Sequence, residues 1–382
     1  MASVSSVNIE RVLWGCNDRG ISISALADAV NMAPDKLTSI LNGDKEFSIS
    51  QLKKIAQFFN KGILFFLEPG PVDENRLRTA GFRTLANENP DLSPKLKSLI
   101  ERVERQRQIL LGLLDTDEDT SIKEFHLPQI ADLSINDATS KIREWLQIGK
   151  ELNFTTYRAA IEKHGILVFR SNGFAGKWQI PNESSICGFS IFHERFPIIF
   201  IRKQESEKRQ LFTLAHELGH LLIHSTGFVD ELTNLYSHIG KEREANAFAG
   251  KLLVPDNFLN QIELGNKPQS HQNYDLWLKD FSKLWGVSVE VILRRLLDSN
   301  LLDRTHYESY RNWKSRLPPI EKSSGTRKYR FNEPKHIFGD TFVRTVLDSL
   351  HARQINITRA SSYLDNLKIA DIHKLERAYN AF

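Results

Sequence analysis

Residues 211–224 read LFTLAHELGHLLIH. His216, His220 and His224 recur every four residues in a run that is otherwise mostly apolar, and Glu217 follows the first of them. An α-helix turns about 100° per residue, so side chains four apart stack on one face. His216 and His220 can therefore aim both imidazoles at one cation, with bonds of about 2.0–2.1 Å for zinc. Glu217 lies beside that face, within reach of a water on such a cation. The ion acidifies the water and a neighbouring carboxylate can take its proton, which is the chemistry of an H-E-x-x-H helix. His224 is two turns from His216, about 11 Å along the axis, too far for one tetrahedral ion to gather all three. It is expected at the helix end or as a hydrogen-bond partner.

A third protein ligand is required, and EREANAFAGKLLVP (242–255) offers two carboxylates in an apolar helix. Counted back from Phe248, Leu252 and Leu253, Glu244 falls nearer the core-facing side and Glu242 points more outward. A carboxylate facing the core is costly unless a positive charge meets it. Glu244 is therefore the expected ligand, with Glu242 in reserve. Tyr236 and His238, between the two metal helices, are candidate donors to the oxyanion of a tetrahedral intermediate.

The rest of the chain sets the context. At 382 residues it has room for two or three domains. Its 41% hydrophobic and 26% charged residues suit an ordinary globular protein, and a net charge of +4 permits contact with nucleic acid without demanding it. Two distant cysteines exclude a disulfide framework. With no signal-peptide pattern at the start and no apolar run that could span a bilayer, a cytoplasmic protein without a membrane partner is expected.

The fold class expected is α+β, mostly helical. Residues 1–72 read as a bundle with a helix-turn-helix: SISALADAV capped by Ser22, then PDKLTSILNG with Pro34 in the first turn and Gly43 at the end, then SISQLKKIAQFF. Residues 73–133 form a helical connector whose long helix is LSPKLKSLIERVERQRQILLGLL. Residues 134–302 mix α and β, with β-rich runs ILVFR, SICGFSIF and PIIFIR ahead of the histidine helix. Residues 303–382 are a basic linker and a helical C-terminal region.

FTLAHELGHLLIH followed by EREANAFAGKLLVP resembles the ImmA/IrrE family of metallopeptidases, and the amino-terminal bundle resembles the Xre-type helix-turn-helix often fused to it. The resemblance implies a gluzincin-like site with His216, His220 and Glu244 on Zn2+ or Mn2+ and Glu217 as general base. It further implies a zinc-dependent endopeptidase that cuts a regulatory DNA-binding protein, a repressor or an antitoxin, in stress, phage or toxin–antitoxin control. The alternative is a DNA-binding transcriptional regulator, or toxin–antitoxin component, whose metal site is structural or senses a ligand. Double-stranded DNA would meet Lys36, Ser39, Asn42 and Lys45 around the second helix of the motif. Asp35 opposes phosphate there, and the same bundle could instead dock a protein or form a homodimer.

Overall fold

A computed structural model of the chain describes residues 3–4, 7–59, 61–72, 93–115, 123–130, 132–172, 176–181, 184–204, 206–224, 228–231, 240–318 and 329–380. Among them no helix is long and apolar enough to cross a membrane. The chain forms two compact units, Met1–Glu101 and Arg102–Phe382.

The first unit packs α1 (Ile9–Asp18), α2 (Ile23–Ala29), α3 (Pro34–Leu41) and α4 (Ile49–Phe59). Short polar side chains set the starts. Asn8 and Ser22 accept hydrogen bonds from the amides of Glu10 and Ala25, both at 3.1 Å. Pro34 opens α3, where a missing N–H costs nothing. Ser48 and Gln51 bond each other's amides reciprocally ahead of α4, a capping box. Gly43, just past α3, takes φ +88°, a conformation L side chains resist. Val12, Leu26, Leu37, Ile40, Leu52 and Ile55 share one core. A short ladder pairs β1 (Ser3–Val4) antiparallel with β2 (Phe47–Ser48). The segment after α4 is tied to α1: Arg11 donates to the carbonyls of Phe65 and Gly70 and pairs with Glu68 at 2.7 Å.

The boundary between the units falls inside α5 (Pro94–Leu114), the long helix expected as a connector. The second unit is built on a four-stranded sheet in the order β3 (Leu167–Arg170), β5 (Ile198–Ile201), β4 (Ile186–Ile191), β6 (Phe228–Glu231). β3 and β5 are parallel, while β4 runs antiparallel to both its neighbours. Every residue of β4 and β5 is buried, which is why they read as unbroken apolar runs and not as alternating strands. The α6 (Ile135–Leu146) and α7 (Phe154–Glu162) helices precede the sheet. The histidine helix α8 (Glu207–Gly219) packs on β4, β5, α7 and α9 (Gly240–Leu253). After these come α10 (Lys279–Leu284), α11 (Val289–Asp298) and α12 (Arg304–Ser315).

The C-terminal helices α13 (Glu333–His351), α14 (Ile357–Tyr363) and α15 (Ile369–Asn380) belong to the same unit. α13 lies on β3, with the Phe169 ring 5.8 Å and 6.1 Å from those of Phe338 and Phe342. It breaks at Gly339, whose φ is +84°. A buried ion pair from α7 fills the break. Arg158 donates to the carbonyls of His336 and Ile337, and Glu162 accepts from the amides of Asp340 and Thr341, with 2.9 Å between the paired side chains. The cation thus meets the carbonyl end of one half-helix and the anion the amide end of the next, as both helix dipoles favour.

Candidate metal centre

α8 starts at Ser206, whose hydroxyl accepts from the Arg209 amide, and its inward face becomes wholly buried from Thr213 to Gly219. His216, Glu217 and His220 are all 0% exposed. The last turn, His220–His224, is π-helical, a local widening that is common at functional sites.

The structure brings His216 and His220 together as the spacing predicts, with their Nε2 atoms 3.0 Å apart. It corrects the choice of carboxylate. Glu242, not Glu244, turns to the pair: its two oxygens lie 3.4 Å from His216 Nε2 and 3.4 Å from His220 Nε2, and its side chain is 13% exposed. Glu244 is 52% exposed and its carboxylate lies 3.1 Å from His224 Nε2. The buried stripe of α9 includes Ala245, Phe248, Ala249 and Leu252. At about 100° per residue, Glu242 lies about 60° from Ala245 on the Ala249 side, whereas Glu244 lies about 100° away on the other. Phe248, Leu252 and Leu253 by themselves centre on the Ala245 direction, so the same count, carried out as angles, already puts Glu242 nearer the stripe than Glu244.

Two glycines make the arrangement possible. A methyl group on Gly219 would sit 3.0 Å from the Phe248 ring and 3.4 Å from Ala245 Cα, so α8 and α9 approach closely just beside His220. On β4, a methyl group on Gly188 would come within 3.1 Å of Glu217 Oε1, so this glycine leaves room for the carboxylate next to the sheet. Neither position announced itself in the sequence, because close approach between distant segments leaves no local pattern.

His224 completes a chain behind the pair. Its Nδ1 is 3.1 Å from His220 Nδ1, and its Nε2 meets Glu244. Such outer contacts hold a ligating imidazole in one orientation, so His224 has the supporting position expected of it.

The donor set fits a divalent cation. Donor atoms of His216, His220 and Glu242 all lie within 4.8 Å of one another. A tetrahedral ion with bonds of about 2.0–2.1 Å has donor–donor edges of about 3.3 Å, close to the 3.0 and 3.4 Å separations found. The protonation states agree. Burial, against the pull of Glu242, holds His220 down to about 4 and so unprotonated. Burial pushes Glu242 up, but hydrogen bonding to the two histidines outweighs it and keeps the carboxylate ionised. Unprotonated imidazole and ionised carboxylate are the forms that bind metal.

The remaining candidates lie elsewhere. Tyr236 and His238 fall outside the described residues. Lys36, Asn42 and Lys45 are exposed around α3, as DNA contacts would have to be, and Ser39 is partly buried with its hydroxyl 3.4 Å from Asp44. Both cysteines are buried and unlinked.

Residues 161–297 match the family model described as Peptidase M78, IrrE N-terminal-like domain. Residues 16–66 match a helix-turn-helix model. No curated protein matches the chain.

Proposed function

We propose that this chain, which joins an IrrE-like peptidase domain to an amino-terminal helix-turn-helix domain, is a zinc-dependent endopeptidase that cuts a regulatory partner protein. One observation carries the reading: the buried His216, His220 and Glu242 donors are spaced as three corners of a tetrahedral site would be, with Glu217 buried on the helix that carries His216. A bound divalent ion would supply Lewis acidity, polarising a peptide carbonyl and making water acidic enough to attack near neutral pH. His216, His220 and Glu242 would hold it. Glu217 takes a proton onto its carboxylate from the attacking water as the new C–O bond forms, then delivers it to the departing amine nitrogen as the tetrahedral intermediate collapses and the peptide C–N bond breaks. His224 and Glu244 keep the His220 ring oriented.

The substrate fits the architecture. A helix-turn-helix module on the same chain brings the peptidase near DNA or near another DNA-bound protein, so a repressor or antitoxin is the natural target. The test is to incubate the purified chain with zinc and with any small DNA-binding regulator found encoded beside its gene, then look for discrete fragments by mass spectrometry. Cleavage that needs zinc and disappears in Glu217→Gln supports the proposal. An intact regulator under all conditions, with metal bound, would favour instead a regulator whose metal site is structural. That second reading draws on the exposed Lys36, Asn42 and Lys45 around α3 and predicts specific operator binding at physiological salt.

A further inference from the structure

The wall formed by α8 and α9 borders a groove of about 1210 Å³, closed on its other sides by residues of α6, α11 and α12. Phe212, four residues before His216, lines it, and so do Arg243 and Glu244, which follow Glu242. The groove therefore reaches the neighbourhood of the metal donors along two helices. Ile135, Val289 and Tyr307 add apolar lining.

Its charges are unevenly matched. Four carboxylates line it, and each is engaged: Asp298 with Arg294 at 3.0 Å, Glu290 with Arg311 at 3.2 Å, Asp275 with Lys314 and the Tyr310 hydroxyl, and Glu244 with His224. Four further cations, Lys208, Arg209, Arg243 and Lys251, also line it, and among the described residues none of them forms an ion pair. Lys208 donates instead to the Ser282 hydroxyl at 2.6 Å and Lys251 to Asn136. Burial depresses both ammonium groups below the usual lysine range; at Lys251 the pull of Asp256 and Asp298 offsets it only in part.

We propose that this groove receives the substrate polypeptide beside the scissile bond and selects a segment in which acidic residues alternate with apolar ones. The inference rests on the peptidase reading above and adds the substrate's chemistry. The groove exceeds the roughly 300–1,000 Å³ of ordinary small-molecule pockets. Its unmatched cations come from separate helices, Lys208 and Arg209 on α8 and Arg243 and Lys251 on α9, which suits an extended chain. Acidic side chains would pair with them while apolar ones cover Phe212 and Val289, and complementary charge would give selectivity and a fast encounter.

The full-length, zinc-loaded Glu217→Gln variant is titrated with a fluorescein-labelled peptide repeating glutamate, leucine and serine, and with its counterpart carrying lysine for glutamate. Anisotropy reads binding without turnover, so an inactive wild-type enzyme would overturn the peptidase reading while leaving this measurement intact. The acidic peptide should bind, the basic one should not, and adding Arg209→Glu with Arg243→Glu should weaken the acidic peptide by about tenfold or more. Both arginines are exposed, so the charge reversal should leave melting temperature and metal content unchanged. Equal binding of the two peptides, or indifference to the charge reversal in a folded variant, would overturn the proposal. So would saturable binding of ATP in place of the acidic peptide, since that would mark a nucleotide pocket.

Discussion

Gly219 of α8 faces Ala245 of α9 so closely that a methyl group on the glycine would lie 3.4 Å from the alanine Cα and 3.0 Å from the Phe248 ring. The helix carrying the two imidazoles and the helix carrying the third donor meet at this point. Gly219→Ala must push them apart or force the ring aside, and overpacking of this kind costs about 1–3 kcal/mol. Because Glu242 is carried by the displaced helix, zinc affinity should fall by about 10–100-fold, the range seen when groups that position ligands are disturbed. Competition with a chromophoric chelator would measure it. Unchanged affinity would mean the glycine does not set the spacing of the donors.

The identity of the third donor has a direct assay. After dialysis against a weak chelator, Glu242→Gln should lose its stoichiometric metal, while Glu244→Gln should keep it with only a modest fall in affinity. Elemental analysis of the two proteins decides between the buried carboxylate and the exposed one. The reverse pattern would restore Glu244 as ligand.

Glu217→Gln should retain metal and fold. It should lose about 10²–10⁴-fold in kcat, the usual scale of proton transfer by a positioned side chain, with little change in KM. A variant cutting as fast as the parent would remove Glu217 from the reaction.

The ion pair in the broken helix makes a prediction about stability alone. A methyl group on Gly339 would fall 1.9 Å from Glu162 Oε1, and the residue's φ of +84° is strained for any L side chain. Gly339→Ala should therefore destabilise the second unit by about 3 kcal/mol or more, comparable to breaking a buried pair by removing one partner. A chemical-denaturation midpoint that does not move would show that the break tolerates rearrangement.

If α3 reads DNA, Lys36→Ala and Lys45→Ala should each weaken operator binding across sequences and reduce the salt slope by about one. Asn42→Ala should instead relax base preference. Electrophoretic shifts over a range of salt concentrations separate these outcomes, and unaltered binding in all three variants would direct attention away from this face.

Much of the fold was legible because it is written in short range. Ser22, Pro34 and Ser48 mark helix starts within segments read as helices, and three apolar runs became β3, β4 and β5. The edge strand β6 was missed, since FVDE has neither alternation nor a continuous apolar run. The break at Gly339 was also invisible: EPKHIFGDTFVRTVLDSLH is periodic enough to read as one helix, and the groups that fill the break come from α7, 177–179 residues away.

The spacing of His216 and His220 by itself determined that two imidazoles share a face, with Glu217 beside them, because a helix's periodicity is a property of its own backbone. The sequence likewise determined that a carboxylate would be sought in 242–255. The helical phase of α9 favours Glu242 over Glu244 as the inward carboxylate, but its meeting with the two histidines was decided only when α9 met α8, since that depends on the rotation at which Ala245 and Phe248 pack over Gly219. No residue within α9 encodes that angle alone; the shapes of two surfaces, brought together by the sheet beneath them, set it.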